Sequence, residues 1–157
     1  MKYYITYFYN VRFLKPYQIP FSTAIWDPKW WHEGKGYSHY FKDKNNVYNG
    51  LRIEPLHPEP GNEECTNCWS DHDPSRCTFM QKYRAQLAGL DFQQITWYLE
   101  TTAKNIKAKE GFSEEPEIVL LVYEKPDNPC SERQPLIEWF SKNGIALEEF
   151  KKPEKDN

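Results

Sequence analysis

Hydrophobic positions along the chain follow two periods, and the change of period separates predicted strands from predicted helices. Lys2–Tyr9 is a β-branched and aromatic run with apolar residues on both faces, which predicts a strand in a covered sheet. Pro16 and Pro20 are predicted to separate it from the next strand. The remaining predicted strands are Phe21–Trp26, Val47–Ile53, Glu117–Tyr123 and Ile145–Phe150, of which Val47–Ile53 is expected to be interrupted by Asn49-Gly50.

Apolar residues at helical spacing predict three helices in the second half of the chain. Met80, Tyr83, Leu87 and Leu90 form the stripe of the first helix. Asp91 is predicted to cap the second helix, and Gly111 is predicted to end it. The third follows Cys130 and ends at Asn143-Gly144. Strands that alternate with helices towards the carboxyl end predict an α/β fold with a mostly parallel sheet flanked by helices.

The length of 157 residues predicts a single domain over residues 1–150, followed by a polar tail over 151–157. Within it, residues 54–73 carry three prolines, a glycine and two cysteines, which predicts an irregular surface loop. Aromatic residues make up 17% of the chain and argue for a folded core, although hydrophobic residues are only 39%.

Charge and apolar runs exclude several function classes. The net charge of −3 supplies no global attraction to nucleic acid or to an anionic membrane, so any such binding has to be local. No apolar run is long enough to span a membrane, and the amino terminus does not resemble a signal peptide, so a soluble, cytoplasmic protein is expected. Glycine-rich dinucleotide, Walker, nucleophile-elbow and HExxH motifs are all missing.

The turn after the predicted strand 117–123 is the main candidate site, because ligands bind beyond the carboxyl ends of parallel strands. Ser131 and Gln134 have capping-box spacing at the start of the helix that follows. Cys130 and Arg133 would then meet at a helix amino terminus, where the dipole lowers a thiol pKa and attracts an anion. Glu124 could orient Arg133 or act as a base. Alternatively, Cys130 packs as a small hydrophobe and Glu124 forms a structural ion pair with Arg133.

The sequence around this turn resembles the uncharacterised family catalogued as domain of unknown function 488. The runs 119–126 and 128–133, VLLVYEKP and NPCSER, are similar to that family's hydrophobic strand ending in an acidic residue and its Cys-His-Arg helix start. Cys130 and Arg133 match the outer members, whereas Ser131 and Glu132 replace the central His. The resemblance extends to 22–30 and 79–90 and implies a Rossmann-like fold. It implies no activity, since the family has no settled function.

A second candidate is a metal site with the spacing C-x2-C-x3-H-x4-C. Its members are Cys65, Cys68, His72 and Cys77. Three thiolates and an imidazole suit tetrahedral zinc, and four protein ligands would make the site structural rather than catalytic. The spacing is one residue shorter than that of a zinc knuckle. A loop of uncoordinated thiols and a redox disulfide are the alternatives.

A third candidate is the connection from Trp26 to Lys44, where aromatic residues such as Trp26 and Trp30 alternate with lysines. This mixture can stack bases and neutralise phosphates, so it favours a nucleotide pocket or nucleic-acid binding. An aromatic loop that covers one face of the sheet is the simpler interpretation.

Two functional hypotheses follow. In the first, an anionic small molecule, nucleotide-like in chemistry, binds at the turn through Arg133 and Ser131, with Trp26 and Trp30 available for stacking. If the protein is an enzyme, Cys130 would be the nucleophile and Glu124 the orienting group or base, with no identified His partner. In the second, the protein is a non-catalytic interaction module that presents its aromatic loop and a zinc-bound loop to a protein or nucleic acid.

Overall fold

A sheet of six parallel strands forms the centre of the protein, as described by a computed structural model over residues 1–33, 48–60 and 73–154. The strands are β1 (Tyr3–Tyr7), β2 (Gln18–Ser22), β3 (Trp31–Glu33), β4 (Tyr48–Arg52), β5 (Glu117–Val122) and β6 (Leu147–Glu149). Their spatial order is β3-β4-β2-β5-β1-β6, so β5 is an interior strand between β2 and β1. The predicted parallel α/β sheet is confirmed, and every strand pair in it is parallel.

Helices cover the two faces of the sheet unequally. The α-helices are α1 (Thr78–Ala88), α2 (Phe92–Glu110) and α3 (Arg133–Lys142). All three pack on one face, where Leu87, Leu99 and Phe140 join the main core together with strand residues such as Ile118 and Leu120. The described part of the other face is covered by a 3₁₀ helix at Phe8–Phe13 and by Trp31. The result is a single Rossmann-like α/β domain, as the sequence predicts.

Local signals set the helix ends. The Asp91 carboxylate accepts a hydrogen bond from Gln94 N at 3.1 Å and so begins α2. Gly111 ends the same helix with φ of 80°, a conformation that strains any residue with a Cβ. Both features confirm the predicted bounds of this helix.

The second strand lies further towards the amino terminus than predicted. It covers Gln18–Ser22 rather than Phe21–Trp26, and Pro20 lies inside it instead of separating two strands. The Pro20 carbonyl faces β4, as its 3.1 Å approach to the Cβ position of Gly50 shows. The missing N–H therefore also faces β4, whose pairing with β2 begins only at Phe21, so no ladder bond is lost.

The short strand β3 was not predicted, because its residues read as part of an aromatic connection. Trp31 is only 1% exposed and lies over Gly50 of β4. A Cβ at Gly50 would come within 2.6 Å of the Trp31 ring, so this glycine is required for the packing. Asn49-Gly50 was expected to interrupt the predicted strand, but β4 runs through it for this reason.

Candidate functional site

The interior strand β5 ends at a turn that leads into α3, and neighbouring strands end beside that turn. Thr23, directly after β2, has Oγ1 2.7 Å from Glu132 Oε2. Glu149, the last residue of β6, has Oε1 2.5 Å from Nε of Arg133, the first residue of α3. These four residues and Glu124, which lies in the same turn, are here named the turn cluster. The structure thus brings together Glu124 and Arg133, which were predicted, with three residues that were not.

The turn cluster lies where chain connections leave the sheet towards opposite faces. β1 continues into the 3₁₀ helix on one face, whereas its neighbour β5 continues into α3 on the other. The adjacent connections therefore separate beyond the strand ends. Such a point in an open parallel sheet is the usual place for a ligand. The topology supports the predicted location of the site.

Contacts with two residues position the Arg133 guanidinium group, but not all of its hydrogen-bond donors have partners among the described residues. The residue is 8% exposed, and its Nη1 donates a hydrogen bond to the backbone oxygen of Glu124 at 3.1 Å. Its Nε contact with Glu149 is an ion pair by distance, although it is not aligned as a hydrogen bond. Nη2 is buried and has no hydrogen-bond partner in the part of the chain that the structure describes. The expected ion pair with the Glu124 side chain is replaced by the pair with Glu149.

Glu132 is a buried carboxyl group that the sequence analysis did not single out. Burial raises its pKa well above the ordinary value, and the neighbouring Glu124 carboxylate raises it further. Thr23 Oγ1 lies 2.7 Å from Glu132 Oε2 and 2.9 Å from the carbonyl oxygen of Leu121. Because a hydroxyl group has one proton, it can donate to only one of these two oxygens at a time. Protonated Glu132 can donate to Thr23, which then donates to Leu121. Ionised Glu132 instead accepts from Thr23.

The pKa values of the other carboxyl groups of the cluster are also raised. Burial raises the pKa of Glu124, and the charge of Arg133 offsets only part of that effect. Burial likewise raises the pKa of Glu149 in spite of its contact with Arg133. A cation that entered the cluster would favour ionisation of these groups.

Two cavities open on different sides of the turn, and they share no lining residue. The first, here named the Arg133 pocket, has a volume of about 460 Å³ and is lined by Ser131, Arg133 and residues of α1 that include Arg84. The second, here named the Trp26 pocket, has a volume of about 430 Å³. Its lining includes Trp26, Tyr123, Glu124 and Glu132. Most of the predicted ligand-binding residues therefore lie at two sites rather than at one.

Cys130 is buried and lies three residues before the first residue of α3. Its backbone N–H donates to Asn128 Oδ1 at 3.0 Å, and it is not among the lining residues of either cavity. Ser131 Oγ accepts from Arg133 N at 3.1 Å, so it does satisfy one early backbone N–H. The predicted capping box does not form as expected, because Gln134 Nε2 donates to Glu138 at 3.3 Å.

The two predicted tryptophans have different surroundings. Trp26 is 73% exposed and lines its pocket. Trp30 is half-buried, packs edge-to-face against Tyr48 at 5.8 Å and has the Arg12 guanidinium 5.6 Å from its ring centroid. Trp30 lines neither of the two cavities, so the structure joins only Trp26 to the turn.

The predicted zinc site falls mainly outside the described residues. Cys65, Cys68 and His72 lie in the segment 61–72, whereas Cys77 is buried directly before α1. Asp73 caps a 3₁₀ helix at Pro74–Arg76 by accepting from Ser75 N at 3.0 Å. Over residues 1–33, 48–60 and 73–154, no group of three or more His, Cys, Asp or Glu side chains could hold a metal ion. Zinc ligation stays a prediction.

A second polar cluster, here named the Arg52 cluster, joins β4 to the loop after β2. Arg52 Nη1 pairs with Asp27, and Nη2 contacts Ala24 O at 3.2 Å and His57 Nδ1 at 2.9 Å. Because Nδ1 accepts from Arg52, His57 carries its proton on Nε2 and donates to Ser22 O at 3.1 Å. Burial and then the charge of Arg52 lower the His57 pKa, which keeps the ring neutral. No sequence motif predicted this cluster.

Comparisons with family models, curated proteins and solved structures found no match to the chain. The resemblance to domain of unknown function 488 therefore stays a prediction. In the described residues, none of the helices has the length and apolar character required to cross a membrane.

Proposed function

We propose that the protein binds an anionic small molecule, with a phosphate or carboxylate group held in the Arg133 pocket. The observation that carries this proposal is the incomplete hydrogen bonding of Arg133, a buried cation that lines a cavity and leaves Nη2 without a partner among the described residues. A buried polar group without a partner costs about 1–3 kcal/mol, and more when it is charged. An oxyanion would remove that cost, because guanidinium pairs well with such groups.

The composition of the pocket supports an anionic ligand. Arg84 and Arg133 both contribute to its lining, and the lining residues that the structure describes include no Asp or Glu. Ser75, Asn128 and Ser131 add polar side chains. The pocket also lies at the amino terminus of α3, where the helix dipole favours negative charge.

Both arginines have carboxylate partners that compete with a ligand. Arg84 Nε lies 2.9 Å from Glu138 Oε2, and Arg133 Nε lies 2.5 Å from Glu149 Oε1. These pairs reduce the net charge of the pocket but leave donors available, since each guanidinium has five N–H groups. A ligand with two or more oxyanion atoms suits this arrangement better than a single carboxylate.

The remaining functional predictions form part of the same proposal. If catalysis occurs, Cys130 would be the nucleophile and Glu124 the orienting group or base. Support for an acid–base role comes from burial of the Glu124 carboxyl, which raises its pKa. A structural zinc, a cytoplasmic location and membership of domain of unknown function 488 are proposed on the sequence alone.

Thermal denaturation with and without phosphate tests the anion site. Titration of the wild type with inorganic phosphate and with AMP, at constant ionic strength, should raise Tm, because a ligand that binds only the folded state stabilises it. At ten times the Kd the gain is about 1.4 kcal/mol. Arg133→Met should abolish the shift, whereas the control Arg12→Met, which removes an arginine outside the pocket, should retain it.

An unchanged phosphate response in Arg133→Met would refute the proposal. Isothermal calorimetry on the same variants separates specific binding from a general salt effect, since only the former saturates. A larger effect of AMP than of phosphate would extend the site towards a nucleotide.

The alternative function, a non-catalytic interaction module, rests on the aromatic connection. Most of that connection lies outside the described residues, but the exposed ring of Trp26 favours a role in stacking. Salt-dependent binding of single-stranded RNA that survives Arg133→Met would favour this alternative.

A further inference from the structure

We propose that the Trp26 pocket is a binding site for a small organic cation, such as an alkylammonium or guanidinium group. Its lining combines two exposed aromatic rings with the carboxyl groups of Glu124 and Glu132, and Glu124 Oε2 has no hydrogen-bond partner among the described residues. The inference does not require an anion in the Arg133 pocket, because the two pockets have no lining residue in common.

The aromatic walls come from two different chain segments. Trp26 follows β2 and Tyr123 follows β5, and their exposed fractions are 73% and 60%. Exposed rings of this size leave apolar surface in contact with water, which a ligand can cover. The faces of Trp and Tyr also attract cations, by about 0.5–2 kcal/mol per contact. Ammonium and guanidinium groups on short apolar chains satisfy both requirements.

The carboxyl groups supply a complementary charge. Glu132 is 4% exposed, and its Oε2 contacts Thr23 Oγ1. Glu124 Oε2 is buried and has no hydrogen-bond partner among the described residues. A cationic donor in the pocket could hydrogen bond to both residues. It would also relieve the repulsion between them.

Other charged groups near the pocket modify this attraction. Asp27 and Lys29 belong to the lining, and Arg133 lies behind the turn with its Nη1 on the backbone of Glu124. Tyr83 of α1 approaches Glu132 from the core and donates its hydroxyl proton to Leu56 O at 2.5 Å. Lys29 is exposed and is the internal competitor for the carboxylates.

Proton linkage gives the site a characteristic pH dependence. Burial raises the pKa of Glu132 and Glu124, whereas a bound cation favours their ionised form and lowers it. Cation binding should therefore release protons, and affinity should increase as the pH rises from 5 to 8. A site made of aromatic rings alone would bind a permanently charged cation equally well across this range.

The test uses 2-phenylethylammonium as the probe and 2-phenylethanol as its neutral counterpart. Binding is followed by the indole ¹H–¹⁵N signal of Trp26, assigned with Trp26→Phe. A saturable shift is expected with the cation and a much weaker one with the alcohol. Glu132→Gln should weaken cation binding by about tenfold, equivalent to ~1.4 kcal/mol. Glu124→Gln should weaken it by a smaller factor.

Matched controls keep the result interpretable. Trp97→Ala removes another exposed tryptophan, on α2 and 66% exposed, and should leave binding unchanged. Trp26→Ala should abolish it without unfolding the chain, since that ring is mostly in water. Equal affinity for the cation and the alcohol, full binding by Glu132→Gln, or no saturation by any cation at tens of millimolar would each overturn the proposal. The phosphate response through Arg133 is expected to persist in Trp26→Ala, Trp97→Ala and Glu132→Gln.

Discussion

Arg52 is the last residue of β4 and Arg133 lies after the turn that follows β5, yet the hydrogen-bond donors of the two side chains are used very differently. Arg52 contacts the Asp27 carboxylate, two backbone carbonyls and the His57 ring. Arg133 contacts one carboxylate and one carbonyl, and its Nη2 has no partner among the described residues. Arg133 is nevertheless the more buried of the two, with a side chain 9% exposed against 17% for Arg52.

On the proposed function, this difference separates a structural role for Arg52 from a binding role for Arg133. The contacts of Arg52 hold the loop after β2 against β4, so its hydrogen bonds stabilise the fold. Arg133 retains a donor that water cannot easily satisfy, which is tolerated where a ligand completes the hydrogen bonding. The same contrast holds for the acids, since Asp27 accepts from Arg52 and Ser22, whereas the hydrogen-bond partner of the Glu132 side chain among the described residues is Thr23.

The largest expected effect is a loss of stability in Arg52→Met. Removal of the guanidinium leaves Asp27 and two loop carbonyls without their donor, which should lower the free energy of unfolding by about 2–3 kcal/mol. Urea denaturation followed by circular dichroism measures this. Arg12→Met serves as the control and should cost less than about 0.5 kcal/mol, because that side chain is exposed. Similar losses in the two variants would remove the structural distinction drawn for Arg52.

Glu132→Gln is expected to stabilise the protein, in contrast to Arg52→Met. The pKa of Glu132 is raised in the fold, so the wild type loses stability as the pH rises above the ordinary Glu value and through the raised one. Glutamine has no charge to bury and should add about 1–2 kcal/mol at pH 8 and little at pH 4. Urea denaturation at both pH values checks this. A variant that is less stable at pH 8 would show that Glu132 is needed in its ionised form.

Glu149→Gln should strengthen phosphate binding at Arg133. The carboxylate lies 2.5 Å from Arg133 Nε and competes with a ligand for the same charge. Its removal should increase phosphate affinity by about three- to tenfold, equivalent to about 0.7–1.4 kcal/mol. Calorimetry at pH 7.5 measures the change, with Glu148→Gln on the same strand as the control. Unchanged affinity would mean that phosphate does not reach Arg133.

The smallest effect is expected for Arg84→Gln. Its ion pair with Glu138 is exposed, so the free energy of unfolding should change by less than about 0.5 kcal/mol. Because Arg84 lines the Arg133 pocket, phosphate affinity should still fall by about two- to threefold. A loss as large as that in Arg133→Met would make Arg84 the principal anchor and would weaken the argument from the buried Nη2.

Local patterns predicted the elements that depend on neighbouring residues. β5 is buried on both faces, and its apolar run Ile118–Val122 needed no partner to be recognised. α2 begins at Asp91 and ends at Gly111, since caps act through backbone groups within one turn. Pro20 shows the limit of such signals, because a proline is compatible with a strand wherever its missing N–H faces no ladder bond. That condition depends on where β4 lies.

The residues of the candidate site also fall into two groups, those that local sequence could identify and those that it could not. Glu124 and Arg133 could be found because they follow a predicted interior strand, and the carboxyl ends of such strands are the usual binding edge. Thr23, Glu132 and Glu149 could not be identified in this way. Each lies in a different segment of the chain, and only the order of the strands in the sheet brings these segments together. Likewise, the Arg52 cluster has no local motif, because a hydrogen-bond network depends on positions in space.

The sequence by itself determined the α/β class, the interior strand β5 and the location of a polar turn at its end, because hydrophobic period and capping act over a few residues. Only the tertiary structure decided that Glu132 and Arg133, consecutive in the chain, contribute to cavities of opposite electrostatic character. The physical reason is that burial and long-range pairing set the charge and the spare hydrogen-bonding capacity of a side chain. Neither the charge nor the spare hydrogen-bonding capacity can be predicted before the order of the strands in the sheet is known.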